Sequence, residues 1–353
     1  MMATIEGVTE LGRWLGVSEA ELLWLADPKG MLRSAKSRRL HHYHRGWILK
    51  RSGGHRLIER PKARLKTIQR RLLAELFDAM PIHDAAHGFV RGRSPVTHAA
   101  HHCGRAVVVR VDLEDFFTSI THGRVLRRCE AAGLPRDVAR LVAGLCTTSL
   151  PPAELASAPR PPSAEELPAF QRHRERVLRR HLPQGAPTSP ALANLCAFGL
   201  DERLHSLGEA VGARYTRYAD DLVLSGDEDV ARRADRLVPI IAAIAIDSGF
   251  AVNFRKTRVM RRGGRQEVAG VVVNERPNVR RRDYDRLAAI LTNCERRGFA
   301  AENRVGHPDF RAHLRGKIAW VASVSSRRGD KLLAIYERAI RRDPGEDHFA
   351  AQT

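Results

Sequence analysis

Between Tyr215 and Ser225 the residues alternate on either side of Ala219-Asp220-Asp221, the pattern of a β-hairpin with an acidic pair at its turn. This is the most demanding feature of the chain. Adjacent like charges repel, and a third carboxylate nearby would raise at least one pKa sharply unless a divalent metal neutralised them. A lone Asp-Asp pair on a turn is usually solvated, so the flanking apolar residues, with Tyr218 before and Leu222-Val223-Leu224 after, carry the weight.

Two further segments point the same way. Ala106 to Val111 is a near-continuous apolar run, typical of a strand buried on both faces, and it ends in Asp112. A carboxylate at the exit of such a strand is rigid and partly desolvated, and it needs a cation; the alternative is that Asp112 caps a following helix. Two ions held by aspartates are a standard device for in-line phosphoryl transfer. The second segment runs from Leu182 to Pro190 (LPQGAPTSP) into an apolar helix expected over Ala191 to Leu207. Ser189 suits its N-cap and Pro190 its first helical position, while a Gly turn and free amides at a helix N-terminus also favour phosphate. Gln184 adds a neutral amide able to contact a nucleotide.

The charge balance names the class of partner. Lys+Arg number 60 against 40 Asp+Glu, a formal charge of +20, which implies a polyanion. An anionic membrane is the competing candidate, but the longest apolar run, Val238 to Ile246, is far short of the about 20 residues a spanning helix needs. The first residues, MMATIEGVTE, show no basic and apolar leader, so a cytoplasmic site of action is expected. Cys103, Cys129, Cys146, Cys196 and Cys294 form no CxxC pair and read as reduced packing residues.

Along the chain, Leu11, Trp14, Leu15, Leu22, Leu23 and Leu25 follow helical spacing within a helical extension over 1–44. A hairpin is expected from Trp47-Ile48-Leu49-Lys50, a Ser52-Gly53-Gly54 turn and Arg56-Leu57-Ile58-Glu59-Arg60. Helices are expected over Leu65 to Phe77 and Val96 to His102, with a loop from Gly88 to Ser94 between them. Residues 151–180 hold six prolines and then the run RHRERVLRR, an inserted loop with a short basic helix. After Val279 the pattern is helical and basic.

In order and spacing these motifs resemble the bacterial reverse transcriptases, and most of all those of retrons, over roughly residues 45 to 325. The resemblance implies an α+β fold, a right-hand polymerase of fingers, palm and thumb with an antiparallel palm sheet and a C-terminal helical thumb. Its divisions would be the extension 1–44, fingers 45–104, palm 105–279 interrupted by the 151–180 insertion, and a helical thumb with tail 280–353. Arg56 to Pro61 and Gly88-Phe89 with Arg91 to Ser94 would belong to the fingers. Asp112 to Ile120, Gln184 to Pro190, the Tyr218-Ala219-Asp220-Asp221 turn, Asn253 to Thr257 and a Val268-Ala269-Gly270 strand would belong to the palm.

By the same resemblance Asp112 and Asp220 would bind two Mg²⁺ ions with Asp221 assisting. Phe117 would be the gate against a ribose 2′-hydroxyl, leaving Phe116 to the core. Gln184 and Gly185 would contact the incoming nucleotide, Arg56 would clasp its triphosphate, and Lys256 would sit near the leaving phosphates; the alternative for Lys256 is a solvated basic loop. The retron NAxxH motif corresponds to His98-Ala99-Ala100-His101-His102, and the VTG motif to Val268-Ala269-Gly270, each departing at one position. His98 and His102 stand four apart, for which a structural or RNA-contacting role is expected over a metal site.

The implied activity is RNA-directed DNA synthesis on a structured noncoding RNA template and primer. It would consume dNTPs, yield an RNA-DNA hybrid and single-stranded DNA, and serve anti-phage defence with an accessory effector protein. The alternatives are a group II intron-like enzyme, a diversity-generating one (which usually replaces the glutamine kept here as Gln184), or a catalytically silent RNA-binding scaffold. Arginines from Arg280-Arg281-Arg282 to Arg341-Arg342 surround an expected apolar core that includes Ile318, Trp320 and Val321. Within it His313 to Ile318 resembles the retron thumb, and Arg315, Lys317 and Trp320 are the RNA-binding candidates.

Overall fold

The computed structural model describes residues 5–35, 37–50, 54–159 and 163–343. Helices Val8–Leu15 and Glu19–Ala26 bury Leu11, Leu15, Leu22 and Leu25 in the same apolar cluster as the central sheet. Their neighbour is helix Arg136–Cys146, whose Gly144 approaches the Ala26 carbonyl so closely that a Cβ would stand 2.4 Å from it.

Strands β1 (Tyr43–Leu49) and β2 (His55–Pro61) pair antiparallel from Tyr43↔Pro61 to Leu49↔His55. Ser52 and Gly53 of the expected turn lie outside the described residues. Along β2 the pleat buries Leu57 and Glu59 and leaves Arg56 and Arg60 exposed, the period-2 alternation of a half-covered strand. The next helix, Ala63–Glu75, buries Leu65, Ile68, Gln69 and Leu72. Phe77, expected at its end, lies instead in a short 3₁₀ turn, Phe77–Ala79, after which Met80 is extended as a residue before proline must be. Val96–His102 is realised as Pro95–Ala100, capped by Ser94 and Thr97.

The central sheet is formed by β3 (Val107–Glu114), β4 (Arg214–Tyr218), β5 (Asp221–Gly226) and β6 (Ala251–Arg261), in the order β4-β5-β3-β6 and antiparallel throughout. Val107, Val109, Val111 and Leu113 of β3 face a helical layer, whereas Val108 joins a second cluster on the opposite face. The helical layer includes Ser189–Cys196, Phe198–Val211 and Glu228–Asp247. β3 does not end at Val111. It runs on to Glu114, so Asp112 pairs with Asp221 on one side and Asn253 on the other, and the next helix starts only at His122. Asp112 therefore caps nothing.

The single helix expected over Ala191 to Leu207 is two, Ser189–Cys196 and Phe198–Val211, meeting at Ala197. Ser189 is a helical residue and Thr188 holds the N-cap position, because the buried Ser189 hydroxyl donates to the Pro183 carbonyl at 2.7 Å and folds the preceding loop back. The Val268-Ala269-Gly270 strand is also corrected. β7 (Glu267–Val268) and β8 (Val271–Val272) form a separate small hairpin, and Ala269 (φ 46°) and Gly270 (φ 82°) are its turn. Positive φ at both central residues matches the twist of a two-residue hairpin.

Helices Arg281–Arg297, Phe310–Val324 and Ser326–Arg342 bury Leu287, Leu291, Leu314, Ile318, Val321, Leu332 and Tyr336 in the second cluster. Trp320 is not in that core but 40% exposed, because Leu314, Ile318 and Val321 define the buried stripe and residue 320 falls off it. Among the described residues no helix is long and apolar enough to cross a membrane.

The deepest charged group is Arg217 on β4, whose guanidinium is fully buried together with the Asp201 carboxylate. Arg217 donates through Nε and Nη2 to both Asp201 oxygens at 2.8 and 2.7 Å, and Tyr215 Oη donates to Asp201 at 2.8 Å. Removing one partner of a buried pair leaves an uncompensated charge. Asp201→Asn is therefore expected to lower the unfolding free energy by about 3–5 kcal/mol in urea titrations; a loss below about 1 kcal/mol would mean that Arg217 finds water or another acceptor.

Candidate active site

The β3–β5 register brings the acidic residues together. Asp112 is the Cα partner of Asp221, and Leu113 N donates to the Asp220 carbonyl at 2.9 Å. Ala219 takes a left-handed φ of 55° to turn the chain between β4 and β5. The turn is held from below: Arg217 Nη1 donates to the Ala219 carbonyl and to Asn194 Oδ1, both at 3.1 Å, and Asn194 Nδ2 donates to the Gly88 carbonyl at 2.9 Å. Gly88 is pressed so close that a Cβ would lie 2.4 Å from Ala219 N, which only glycine permits.

Burial raises the pKa of Asp220, and the Asp112 charge raises it further. Asp221 is pushed up to about 6, first by burial and then by Asp220 and Asp112, with Arg110 opposing. Lys256 Nζ reaches both Asp112 oxygens at 3.1 and 3.3 Å. Arg110 Nε stands 3.7 Å from Asp221 Oδ1, buried and without a hydrogen-bond partner.

Among the described residues no group of three or more His, Cys, Asp or Glu side chains is placed to hold a metal ion. The donor set nevertheless fits a hard divalent cation. Mg²⁺ in phosphoryl-transfer sites is commonly held by one or two carboxylates and completed by substrate phosphates and water. Asp112 and Asp220, aided by Asp221, are the residues that would hold it.

Of the other candidates, Lys256 and Arg56 are linked to this cluster directly and the rest have the following local settings. Arg56, exposed on β2, is close enough for its charge to lower the Asp220 pKa. The Gln184 carbonyl accepts from Glu59 N at 2.9 Å, which seats the Gln184-Gly185 loop against the β1-β2 hairpin. Gly185 is exposed with φ 128°, and a Cβ there would lie 3.1 Å from the Glu59 carbonyl. Phe116 is buried, stacked on Phe250 and 5.5 Å from the Arg217 guanidinium, whereas Phe117 is half-buried beside Phe89, with ring centroids 5.8 Å apart. Lys256 lies on β6 and not in a loop. Arg315, Lys317 and Trp320 are exposed on helix Phe310–Val324, which packs in the second cluster.

The reverse transcriptase (RNA-dependent DNA polymerase) family model matches residues 48–284. The chain belongs to the reverse transcriptase family. It is 43% identical over 301 residues to the retron Mx65 reverse transcriptase of Myxococcus xanthus, covering 83% of this chain and 64% of that protein. It is 38% identical over 283 residues to the retron Mx162 reverse transcriptase of the same organism, covering 77% of this chain and 54% of that protein. Against the retron Ec86 reverse transcriptase of Escherichia coli the identity is 27% over 286 residues, covering 80% and 76%. The chain thus spans about two thirds or less of the two Myxococcus proteins, and its likeness is to the retron enzymes.

In this reverse transcriptase family member the Asp-Asp turn has two further supports, one of them outside the motifs. Arg217, one residue before Tyr218, is a charged residue within a buried strand, and its burial depends on Asp201, which is remote in sequence. The histidines of the His98–His102 segment form the other support. His98 Nδ1 and His102 Nε2 meet Thr216 Oγ1 at 2.8 and 2.6 Å, and His102 Nδ1 meets Ser225 Oγ at 2.7 Å. Burial drives His98 down to about 3, so it is a neutral clasp on β4.

The raised Asp221 pKa has a stability consequence. The folded value of about 6 exceeds the ordinary 3.8, so ionised Asp221 destabilises the metal-free fold at pH 7, and the cost disappears as pH falls from about 6 towards 4. Asp221→Asn is expected to stabilise the metal-free protein by about 1–2 kcal/mol at pH 7, with the gain shrinking on acidification in thermal or urea melts. A variant less stable than the parent at pH 7 would contradict this.

Proposed function

We propose that the chain is an RNA-directed DNA polymerase that copies a structured noncoding RNA into single-stranded DNA. The observation that carries this reading is the pairing of Asp112 with Asp221 across β3 and β5, with Asp220 at the adjoining turn. Carboxylates this mutually repelling, two of them with raised pKa, are suited to dications.

Asp112 and Asp220 would each hold both Mg²⁺ ions, with Asp221 assisting. When bound, the ions supply activation of the primer hydroxyl and charge stabilisation of the departing pyrophosphate. The protein's own part is positioning. Arg56 on β2 would clasp the triphosphate, Gln184 and Gly185 would contact the nucleotide from the loop beside that strand, and the Phe117 ring would occupy the space a 2′-hydroxyl requires. Lys256 neutralises Asp112 in the free protein and is half exposed, free to turn towards the leaving phosphates. The intact aspartate set argues against a silent scaffold.

The divisions follow this reading: an extension over 1–44, fingers over 45–104, palm over 105–279 and thumb from 280. Arg315, Lys317 and Trp320 would contact the RNA backbone, since helical cations suit the shallow minor groove of A-form RNA. By analogy with retrons the enzyme would act in the cytoplasm, retain its RNA-DNA hybrid and restrain an accessory effector protein in anti-phage defence.

Asp112→Asn and Asp220→Asn are expected to retain RNA binding while primer extension on an RNA template falls by about 100-fold or more. Extension near the parent rate by either would remove the metal assignment. Replacing Arg315 and Lys317 by alanine should lower the slope of log affinity against log salt by up to about one per lost phosphate contact, read in RNA-binding titrations. An unchanged slope would place recognition outside the thumb.

A further inference from the structure

The segment between Pro151 and Arg180 takes no part in the assignments above, yet it touches the most sensitive stretch of β3. On helix Leu167–Leu178, Arg176 lies one turn beyond both Arg172 and His173, at the i+4 and i+3 spacings that share a face. Arg172 grips Glu114 with both arms, at 3.2 and 2.8 Å. Arg176 Nη1 donates to Asp115 Oδ2 at 2.9 Å and lies 3.4 Å from Glu114 Oε2. His173 Nδ1 stands 3.0 Å from the same Asp115 oxygen.

Glu114 and Asp115 sit between Asp112 and Phe117. Asp115 has a left-handed φ of 52°, a state that aspartate tolerates but does not favour. Its carbonyl is held locally by Ser119 N at 2.9 Å and Thr118 Oγ1 at 3.2 Å. Its carboxylate is held by the insertion helix. Burial alone would raise the Asp115 pKa, and His173 and Arg176 outweigh burial to hold it at about 2, as a permanent anion.

The helix is itself fixed to the fingers hairpin. Val177 is buried with Leu57, Leu150 and Leu155, its carbonyl accepts from Leu150 N at 2.8 Å, and the His173 ring lies edge-on to Trp47 at 6.2 Å. Leu57 is the neighbour of Arg56 on β2, so one helix braces both the strand that carries Arg56 and the turn that leads to Phe117.

We propose that helix Leu167–Leu178 is a strut for sugar selection: Arg172 and Arg176, with His173, clamp Glu114 and Asp115 and so fix the left-handed turn that aims Phe117. These are positioning residues, acting on the nucleotide only through the Phe117 ring. The inference rests on the polymerase reading and on Phe117 as the gate. Arginine is required where it bridges two carboxylates, since lysine lacks the planar fork.

The test is single-nucleotide incorporation on an annealed RNA template and DNA primer, comparing kcat/KM for a ribonucleotide and the matching deoxynucleotide. Arg172→Ala/Arg176→Ala should raise the ribo-to-deoxy ratio by about 10-fold, as small displacements of a positioning group do, while deoxynucleotide kcat changes less. Arg176→Lys should fall between. Asp115→Asn, which keeps the left-handed preference and removes the charge, should raise the ratio without unfolding the turn. Adding Phe117→Ala to the double variant should give less than the sum of the two effects, because both act through one ring. Amide hydrogen exchange over residues 113–120 should quicken in the double variant, a readout that needs no catalysis. An unchanged ratio, or an equal loss for both sugars, overturns the strut and leaves the polymerase reading standing. Failure of the parent protein to incorporate either nucleotide removes the polymerase reading and the gate together, even with quickened exchange.

Discussion

A guanidinium with no access to water sits against the Ala219-Asp220 turn, and the geometry of the acidic cluster depends on it. Arg217 bonds to Asp201 on helix Phe198–Val211, to Asn194 on helix Ser189–Cys196 and to the Ala219 carbonyl at the turn. Its own backbone is engaged by the loop before Gly88, with Arg217 N donating to the Ala85 carbonyl and His87 N to the Arg217 carbonyl, both at 2.7 Å. One side chain thus unites two helices, a fingers loop and the palm hairpin. Such a pair is a poor source of net stability against an apolar equivalent. Its value here is register: a slip of β4 by one residue against β5 would turn Arg217 to the opposite face of the sheet, away from Asp201.

Upon this frame the acidic residues are held closer together than their charges favour. Asp112 is only 6% exposed, and it shares its surroundings with two other carboxylates. Lys256 and Arg110 relieve the repulsion in part, from the outer and inner sides. Neither completes the neutralisation, since Arg110 Nε remains without a hydrogen bond. A site arranged this way lowers the stability of the free protein, a cost that the proposed binding of a dication would offset. The strand that carries Asp112 is anchored on both faces by buried valines, Val107, Val109 and Val111 on one and Val108 on the other.

The parts of the site that are local in sequence were legible there. The Asp-Asp hairpin and the valine run to Asp112 follow from residue patterns along the strands themselves, and the assignment of Phe116 to the core is met by its burial. What depends on partners remote in the chain was not. Nothing local marks Arg217 for burial until Asp201 is brought under it, and although a structural role is expected for His98 and His102, their partners Thr216 and Ser225 are remote in the chain. Ser189 has the side chain of an N-cap, but its burial beside the Pro183 carbonyl moved the cap back by one residue. Trp320 has the composition of core and the wrong helical phase for it. The insertion was opaque because its basic run reads as solvated until Glu114 and Asp115 are seen opposite it.

The account's central claim is that the three aspartates form the centre of a templated polymerase. Its most direct measurement is incorporation of labelled deoxynucleotides by the purified protein on a defined RNA template with an annealed primer, followed by sequencing of the product. The account predicts DNA complementary to the RNA, lost on chelation of divalent metal and restored by Mg²⁺. Folded protein that binds the RNA yet yields no metal-dependent, templated DNA would contradict it.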